Sequence, residues 1–403
     1  MFAIMFSNAK FDLLVAGAGP AGFAAACAAA RSGAEVLLID QNSGPGGVGV
    51  FCGCPSLCGV EAENLRRHGA VAADFMNGLI ASGAKFTGCT LCGDEEMFRR
   101  VMTGMLKADK VKMLFYTTLI GCECRGNRIQ SAELFCMGTR FRVEAGNFID
   151  CTGDAVLAKA AGAGFHPVSP EESMTKTVLF KLEDVDPFDK AAISATLKRK
   201  QFPLPQQNRF MGFFLANGSH VVMNLTAACG DAGVPGELTR MDMELREQVP
   251  VIIEWLRREL PEFSRCRLVS TAMRIGVRCS RNIIARENIT CEDIEKNTPV
   301  AEPVAFGFRK FGDHFVDSFD SPWTKRLPGF RALPYGALRP PEVDNLAVAG
   351  RCIGVEPRAS TSIRYMPVCM ATGEAAGLAA AAGFPAYPLL KPRLSISTEE
   401  RSS

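Results

Sequence analysis

The sequence lacks the features that would send a chain into a membrane or onto a nucleic acid. No apolar run approaches the roughly 18 residues of a membrane-spanning helix. Lys and Arg number 45 against 43 Asp and Glu, a formal net charge of +2. That balance gives no reason to expect a nucleic acid or an anionic membrane as partner. There is no fixed-period repeat and no low-complexity tract. The opening MFAIMFSNAK is apolar, but it is too short for a secretory leader and lacks a basic start. Sixteen cysteines without such a leader point to a reducing, cytoplasmic setting and mostly free thiols.

The chain has 403 residues, 47% of them hydrophobic and 22% charged. It is therefore globular and too long for one simple core, and about two domains are expected. The stretch FDLLVAGAGPAGFAAACAAARSGAEVLLID, residues 11–40, organises the rest. Leu13–Ala16 is an apolar run suited to a buried parallel strand. Gly17-Ala-Gly19-Pro20-Ala21-Gly22 follows, then an alanine-rich helix to Arg31, then a second apolar run, Glu35–Ile39, ending at Asp40. Strand, glycine turn, helix and strand in this order form the context that a dinucleotide fingerprint requires. Gly17 permits the tight turn, Gly19 lets backbone approach a pyrophosphate, and Gly22 lets helix and strand pack closely. Asp40 lies 21 positions after Gly19, where a carboxylate accepts from a ribose hydroxyl. A plain βαβ crossover would need none of this agreement.

After Asp40 comes QNSGPGGVGVFCGCPSLCGV, whose glycines exclude regular structure over 44–53. Gly46 and Gly47 are expected to lie against the dinucleotide, because glycine lets backbone come close. Cys52-x-Cys54-x3-Cys58 and Cys89-x2-Cys92 invite a metal reading. Only the second pair has a zinc-site spacing, so no metal is expected. A redox-active thiol pair is the alternative. Asp94–Lys107 reads as an amphipathic helix with acidic residues at its start. VKMLFYTT, LIGCECRG, RIQSAELFCM and FRVEAG read as a small β-meander inserted into the first domain. Asn147–Cys151 then returns as a strand to Thr152-Gly153-Asp154. Asp154 faces the dinucleotide, caps the helix 155–161, or does both.

From His166 to about Phe330 the pattern changes to a second domain rich in β structure. KTVLFKLEDV, RFMGFFLA and HVVMNLT read as strands, and Arg240–Leu260 as one long helix with Pro250 inside it. Arg274, Arg278 and Arg281 share one face if that segment is helical, either as a solvated basic face or as a carboxylate clamp. Leu346–Ala349 is a buried strand, Gly350-Arg351-Cys352-Ile353-Gly354 a turn, and Pro367 opens a small-sided helix to about Ala382. The tail from 388 to 403 is expected to be disordered.

These residues together resemble the FAD-dependent oxidoreductases of the two-dinucleotide-like flavoproteins, and distantly the flavoprotein subunits of fumarate reductase and succinate dehydrogenase. The resemblance is carried by Gly17–Gly22, Asp40, Gly46-Gly47, Asp150–Asp154, Arg274–Arg281, VDNLAVAGRCIG at 343–354 and SIRYMPVCMATG at 362–373. It implies an α/β fold: a Rossmann-like FAD-binding domain (1–165 with 331–403) and a β-rich α+β substrate domain (166–330). FAD would lie extended along Gly17, Gly19, Pro20, Ala21, Gly22, Asp40, Gln41, Gly46 and Gly47. Gly153, Asp154, Gly350, Arg351 and Cys352 would hold its middle, and the helix start at Pro367 and Met370 would face the flavin pyrimidine. Two departures stand out: Phe319-Asp320 where the family often has His-Asp, and the cysteine-rich loop after Gly47.

The implied activity is hydride transfer between flavin N5 and a small, carboxylate-bearing substrate. Arg278, Arg281 and Arg364 are the candidates for binding that substrate or placing charge by the flavin. None of them serves as a base, because guanidinium holds its proton. His314 and Tyr365 are the acid–base candidates. Two rival readings stay open: an electron-transfer flavoprotein that uses a cysteine cluster, and a non-enzymatic FAD-binding module. A second copy of the chain or a redox partner is also left open.

Overall fold

The computed structural model describes residues 10–168, 173–200, 202–204, 211–215, 218, 220–312, 314–315, 324–384 and 387–391. The pair Phe319-Asp320 and the chain from 392 onward lie outside the described residues. In chain order the first part comprises β1 (Lys10–Ala16), α1 (Pro20–Arg31), β2 (Val36–Ile39), β3 (Ser56–Cys58), α2 (Ala70–Ala81), β4 (Lys85–Thr87), β5 (Thr90–Cys92) and α3 (Glu95–Ala108). It continues with β6 (Lys112–Leu114), β7 (Thr118–Arg125), β8 (Arg128–Cys136), β9 (Thr139–Asp150) and α4 (Val156–Ala160). Next come β10 (Phe180–Glu183), α5 (Lys190–Arg199), β11 (Gly212–Phe214), β12 (Val221–Met223), α6 (Pro235–Glu259) and β13 (Arg267–Thr271). The rest is α7 (Cys291–Lys296), β14 (Pro303–Phe311), β15 (Lys325–Pro334), β16 (Leu346–Val348), α8 (Met366–Ala381) and α9 (Tyr387–Leu390).

The main sheet runs β6-β2-β1-β9-β8-β7, with β16 also on β9. β6, β2, β1, β9 and β16 are parallel where they pair, and β2 and β16 are buried at every position. Unbroken apolar runs such as VLLI suit strands covered on both faces. β9 is one strand of 12 residues, not two. Its first half pairs antiparallel with β8, and its second half pairs parallel with β1 and β16. The meander is therefore continuous with the parallel sheet into which it is inserted. Lys112–Leu114, expected in the meander, instead forms the parallel edge against β2.

α1 and α8 cover this sheet and pack on each other. A Cβ on Gly373 would fall 2.1 Å from the Ala21 carbonyl oxygen, and one on Gly377 would fall 2.2 Å from that of Ala25. Glycine at these two positions is what lets the helices touch backbone to backbone. Glu374, between them, is buried and accepts from the N–H groups of Ala70 and Val71 at 3.1 and 2.8 Å, so α8 caps the start of α2.

A second apolar core gathers around β11-β12-β10-β13 and α6, with residues from Val178 to Ile275. α6 begins at Pro235, five residues before the expected Arg240, and carries Pro250 inside it. It buries Leu245, Val249, Ile252, Ile253 and Leu256. Val304, Ala305 and Phe311 of β14 and Leu333 of β15 belong to the first core.

Candidate active site

A cavity of about 430 Å3 opens at the C-terminal ends of the parallel strands, lined by Ala16 of β1, Ile39 of β2, Cys151 after β9 and Ala349 after β16. Open α/β sheets place ligands at this edge. The opposite wall comes from chain beside the second core: Thr177, Leu179, Asn224 and the segment Arg274–Arg278.

The cradle is built for close approach of an anionic, extended group. Gly17 holds φ +99°, and a Cβ there would lie 2.5 Å from the Cys151 carbonyl oxygen. Gly19 caps α1 without a side-chain hydrogen bond, and a Cβ on it would meet only the Gly47 Cα, at 3.8 Å. Space in front of the helix start is therefore open. α8 likewise starts at Tyr365 without a side-chain cap. Both helices have Pro at their first turn, and residues from both starts line the cavity. Two uncapped N-termini offer free N–H donors and partial positive charge to one space.

Four guanidinium groups line that space: Arg274, Arg278, Arg351 and Arg364. Two carboxylates, Asp40 and Asp154, oppose them. Burial pushes the Asp154 carboxyl up, but the Arg351 guanidinium at 2.9 Å, the Ser280 hydroxyl and Arg274 outweigh it, and the net shift is downward. Asp154 is thus an ionised anchor. It does not cap α4: Asp150 accepts from Ala158 N–H at 2.9 Å, and the Thr152 hydroxyl accepts from Val156 N–H at 3.1 Å. Arg351 Nη1 and Arg364 Nε are buried without a hydrogen-bond partner. Asp40 accepts from Ala18 N–H at 2.6 Å through Oδ2 and from both nitrogens of Asn42 through Oδ1, at 2.8 and 2.7 Å.

Among the residues singled out from the sequence, the cavity wall brings together Gly17, Gly19, Pro20, Ala21, Asp40, Gln41, Gly47, Gly153, Asp154, Gly350, Arg351, Arg278 and Arg364. Gly22 lies behind it, where a Cβ would strike the Gly17 carbonyl oxygen at 1.7 Å. Gly46 N–H donates to Ala18 O at 2.9 Å, which fixes the following loop against the first turn. Cys352, Pro367 and Met370 are buried beneath the wall rather than on it. The segment Arg274–Arg281 is not a helix. It is irregular, bent at Arg274 and Arg278 and bridged at Gly276 to Thr177, so its arginines diverge. Arg278 points inward, donating to Thr175 O and at 3.2 Å to Asn224 Oδ1. Arg281 leaves the cavity and donates to Asp154 O and Gly233 O at 3.1 and 3.2 Å. His314 contributes its carbonyl oxygen to Thr175 and does not line the cavity. Tyr365 is half-buried against Phe308, and its hydroxyl meets Lys310 Nζ outside the cavity.

Sequence reasoning missed Thr177 and Asn224, which sit on the far wall and meet through Thr177 Oγ1 and Asn224 Oδ1 at 2.8 Å. No local signal marks them, because they stand 47 positions apart and meet just beyond the paired ends of β10 and β12. Cys52 and Cys54 also line the cavity. Burial pushes their thiols up to about 11 and about 12, so both stay protonated near neutral pH. Among the described residues no group of three or more His, Cys, Asp or Glu converges to hold a metal, and no helix is long and apolar enough to cross a membrane.

Known proteins match this chain at several levels. The model of the family described as FAD dependent oxidoreductase matches residues 12–384. The sarcosine oxidase subunit alpha of Rhizobium meliloti (strain 1021) is 62% identical over 41 residues, 10% of this chain and 4% of that protein. The tRNA uridine 5-carboxymethylaminomethyl modification enzyme MnmG of Chlorobium phaeovibrioides is 31% identical over 136 residues, 31% of this chain and 22% of that protein. The chain thus spans less than a quarter of the length of either relative. Among solved structures, a geranylgeranyl bacteriochlorophyll reductase-like protein from Thermoplasma acidophilum superposes with a TM-score of 0.52 at 11% identity, covering 95% of this chain and 82% of that one. A myxobacterial chondrochloren halogenase gives 0.53 at 14% identity, over 95% and 78%. At such identity the likeness is one of fold.

Proposed function

The chain belongs to the FAD-dependent oxidoreductase family and is an enzyme that uses FAD, and from that premise we propose that it oxidises or reduces a small carboxylate-bearing substrate held at the arginine-lined end of the cavity. FAD, when bound, supplies hydride exchange at flavin N5. The chain's own residues do the rest. Gly17, Gly19, Pro20 and Ala21 present the α1 start to the diphosphate, with Gly22, Gly46 and Gly47 keeping the turn tight. Asp40 and Gln41 stand at the ribose. Gly153, Asp154, Gly350 and Arg351 stand at the middle, with Asp154 holding Arg351 in place. The α8 start, backed by Cys352, Pro367 and Met370, directs partial positive charge to the far end. The second core, within residues 166–330, covers the substrate side.

The observation that carries this reading is Arg364. It lines the cavity, its Nε is buried without a partner, and no hydrogen bond or ion pair satisfies its side chain among the described residues. A buried donor is costly to leave unmade, so such a group marks where an acceptor belongs. Arg278, 7% exposed and already tied to Thr175 and Asn224, supplies a second fixed charge on the opposite wall. A planar guanidinium fork matches a carboxylate in two hydrogen bonds. Arg281, His314 and Tyr365 stand outside this constellation, and Tyr365 touches it through Arg364, whose guanidinium lies 5.1 Å from the Tyr365 ring centroid.

The test is anaerobic bleaching or recovery of the bound flavin with a panel of small carboxylates and their matching amides. Acids should react and amides should lag by a factor of about 100, the worth of a charged hydrogen-bonded pair. Arg364→Ala should erase that preference and Arg364→Lys should restore part of it. Equal rates for acids and amides with wild-type protein would sink the carboxylate assignment.

A further inference from the structure

We propose that Arg274 is a positioning residue that closes the cavity mouth over the adenosine end of the dinucleotide and slows its release. Arg274 follows β13 in the second core, and its N–H donates to Phe51 O at 2.9 Å. Its side chain crosses to the opposite lip, where Gln41 and Asn42 follow the end of β2. Nη1 donates to Asn42 Oδ1 at 3.1 Å. With the Gln41 amide turned so that its oxygen faces the guanidinium, that oxygen accepts from Nη1 and Nη2 at 2.9 and 3.2 Å. The Asn42 acceptor is preset. Asp40 Oδ1 takes both Asn42 N and Asn42 Nδ2, which leaves the amide oxygen facing the other way, toward Arg274. The carboxylate at the ribose position thereby also orients the catch for the strap above it.

Two features make this contact releasable. Arg274 is exposed, as is its neighbour Met273 at 76%, so opening breaks no apolar packing. Among the described residues no carboxylate lies within ion-pair distance of Arg274, and neutral amides alone hold it. The guanidinium charge nevertheless reaches into the cavity, where it helps to lower Asp154. An anionic dinucleotide beneath the strap is held by that same field.

The inference rests on placing the adenosine at Asp40, and the experiment separates the two. FAD release is followed by the rise of free-flavin fluorescence after dilution of the loaded protein. Arg274→Ala should release FAD about 10-fold faster, the worth of two to three partly exposed hydrogen bonds. Arg274→Lys should fall between, since it keeps the charge and loses the fork. Asn42→Ala should also speed release, and Arg274→Ala/Asn42→Ala should be no faster than Arg274→Ala alone. The melting temperature of the FAD-free Arg274→Ala protein should match wild type, which a merely structural role would not allow. If Asp40→Ala weakens FAD binding while Arg274→Ala releases at the wild-type rate, the strap is refuted and the adenosine placement stands. If Asp40→Ala leaves binding unchanged, the placement fails and the strap falls with it.

Discussion

Adding one methyl group at Gly373 should injure the protein, although the same change elsewhere should help it. In Gly373→Ala the new Cβ lies 2.1 Å from the Ala21 carbonyl oxygen, 2.8 Å from its carbonyl carbon and 2.9 Å from its Cα. All three are backbone atoms of α1, so no rotamer change relieves the clash. The two helices must part by about 1 Å in an interior packed as densely as an organic crystal. Overpacking of this kind costs about 1–3 kcal/mol, and rigid backbone on both sides places Gly373→Ala near 3 kcal/mol. Ala21 lines the cavity, so the retreat of α1 also weakens FAD binding. Gly377→Ala meets Ala25 in the same way, at 2.2 Å. One separation relieves both contacts, so the double variant should cost clearly less than the sum of the singles. Gly104→Ala is the control: Gly104 is an exposed position in α3 with nothing within 4 Å of its Cβ site. Alanine there should stabilise by about 0.5–1 kcal/mol through helix propensity. The assay is urea unfolding of each FAD-free variant, paired with FAD titration. Gly373→Ala with a midpoint at or above wild type would refute the backbone-contact reasoning.

Three further outcomes concern a lysine, a glutamate and the cysteines. Lys176 is fully buried with its ammonium on Ser173 and Gly230, and burial lowers it to about 8. A lowered lysine makes the unfolded chain bind more protons between pH 8 and the ordinary lysine range near 10.4, so this group adds stability as pH rises through that window. Lys176→Met should remove the rise, read by urea midpoints at pH 7 and pH 10; equal slopes for both proteins would refute it. Glu374→Ala strips two N–H groups at the start of α2 of their acceptor and should cost about 2 kcal/mol, with Glu374→Gln about half as much. Metal analysis of anaerobically purified protein should find no stoichiometric zinc or iron, and one atom per chain would contradict the reading of Cys52, Cys54, Cys58, Cys89 and Cys92 as thiols.

The first βαβ unit was legible because its signals are local: Leu13–Ala16, the 17–22 glycines and Asp40 lie within one short stretch. α3 and the α6 apolar face were legible for the same reason, each being set by its own periodicity. What failed needed partners far away in sequence. The 274–281 arginines fit a helical spacing, but Gly276 is claimed by Thr177 and Arg274 by Phe51, which takes their backbone groups away from a helix. KML at 112–114 gives no sign that its neighbour is β2 rather than β7, since parallel pairing leaves no turn to read. Only the capping half of the Asp154 reading, which came from its place before a helix, does not hold. Asp150 and Thr152 cap that helix from further back, which frees Asp154 for Arg351.

The α1–α8 contact also sets a timetable for the birth of the protein. The Gly373 that must lie against Ala21 is made about 350 residues after it. At translation rates of about 5–20 residues per second, that is a wait of roughly 20–70 s. Throughout it the nascent α1 has the face that meets α8 without a cover. Such long-range closure is slow and leaves apolar surface open to wrong partners. Cofactor capture is therefore a late event, and chains cut short before α8 should be found with chaperones rather than with FAD.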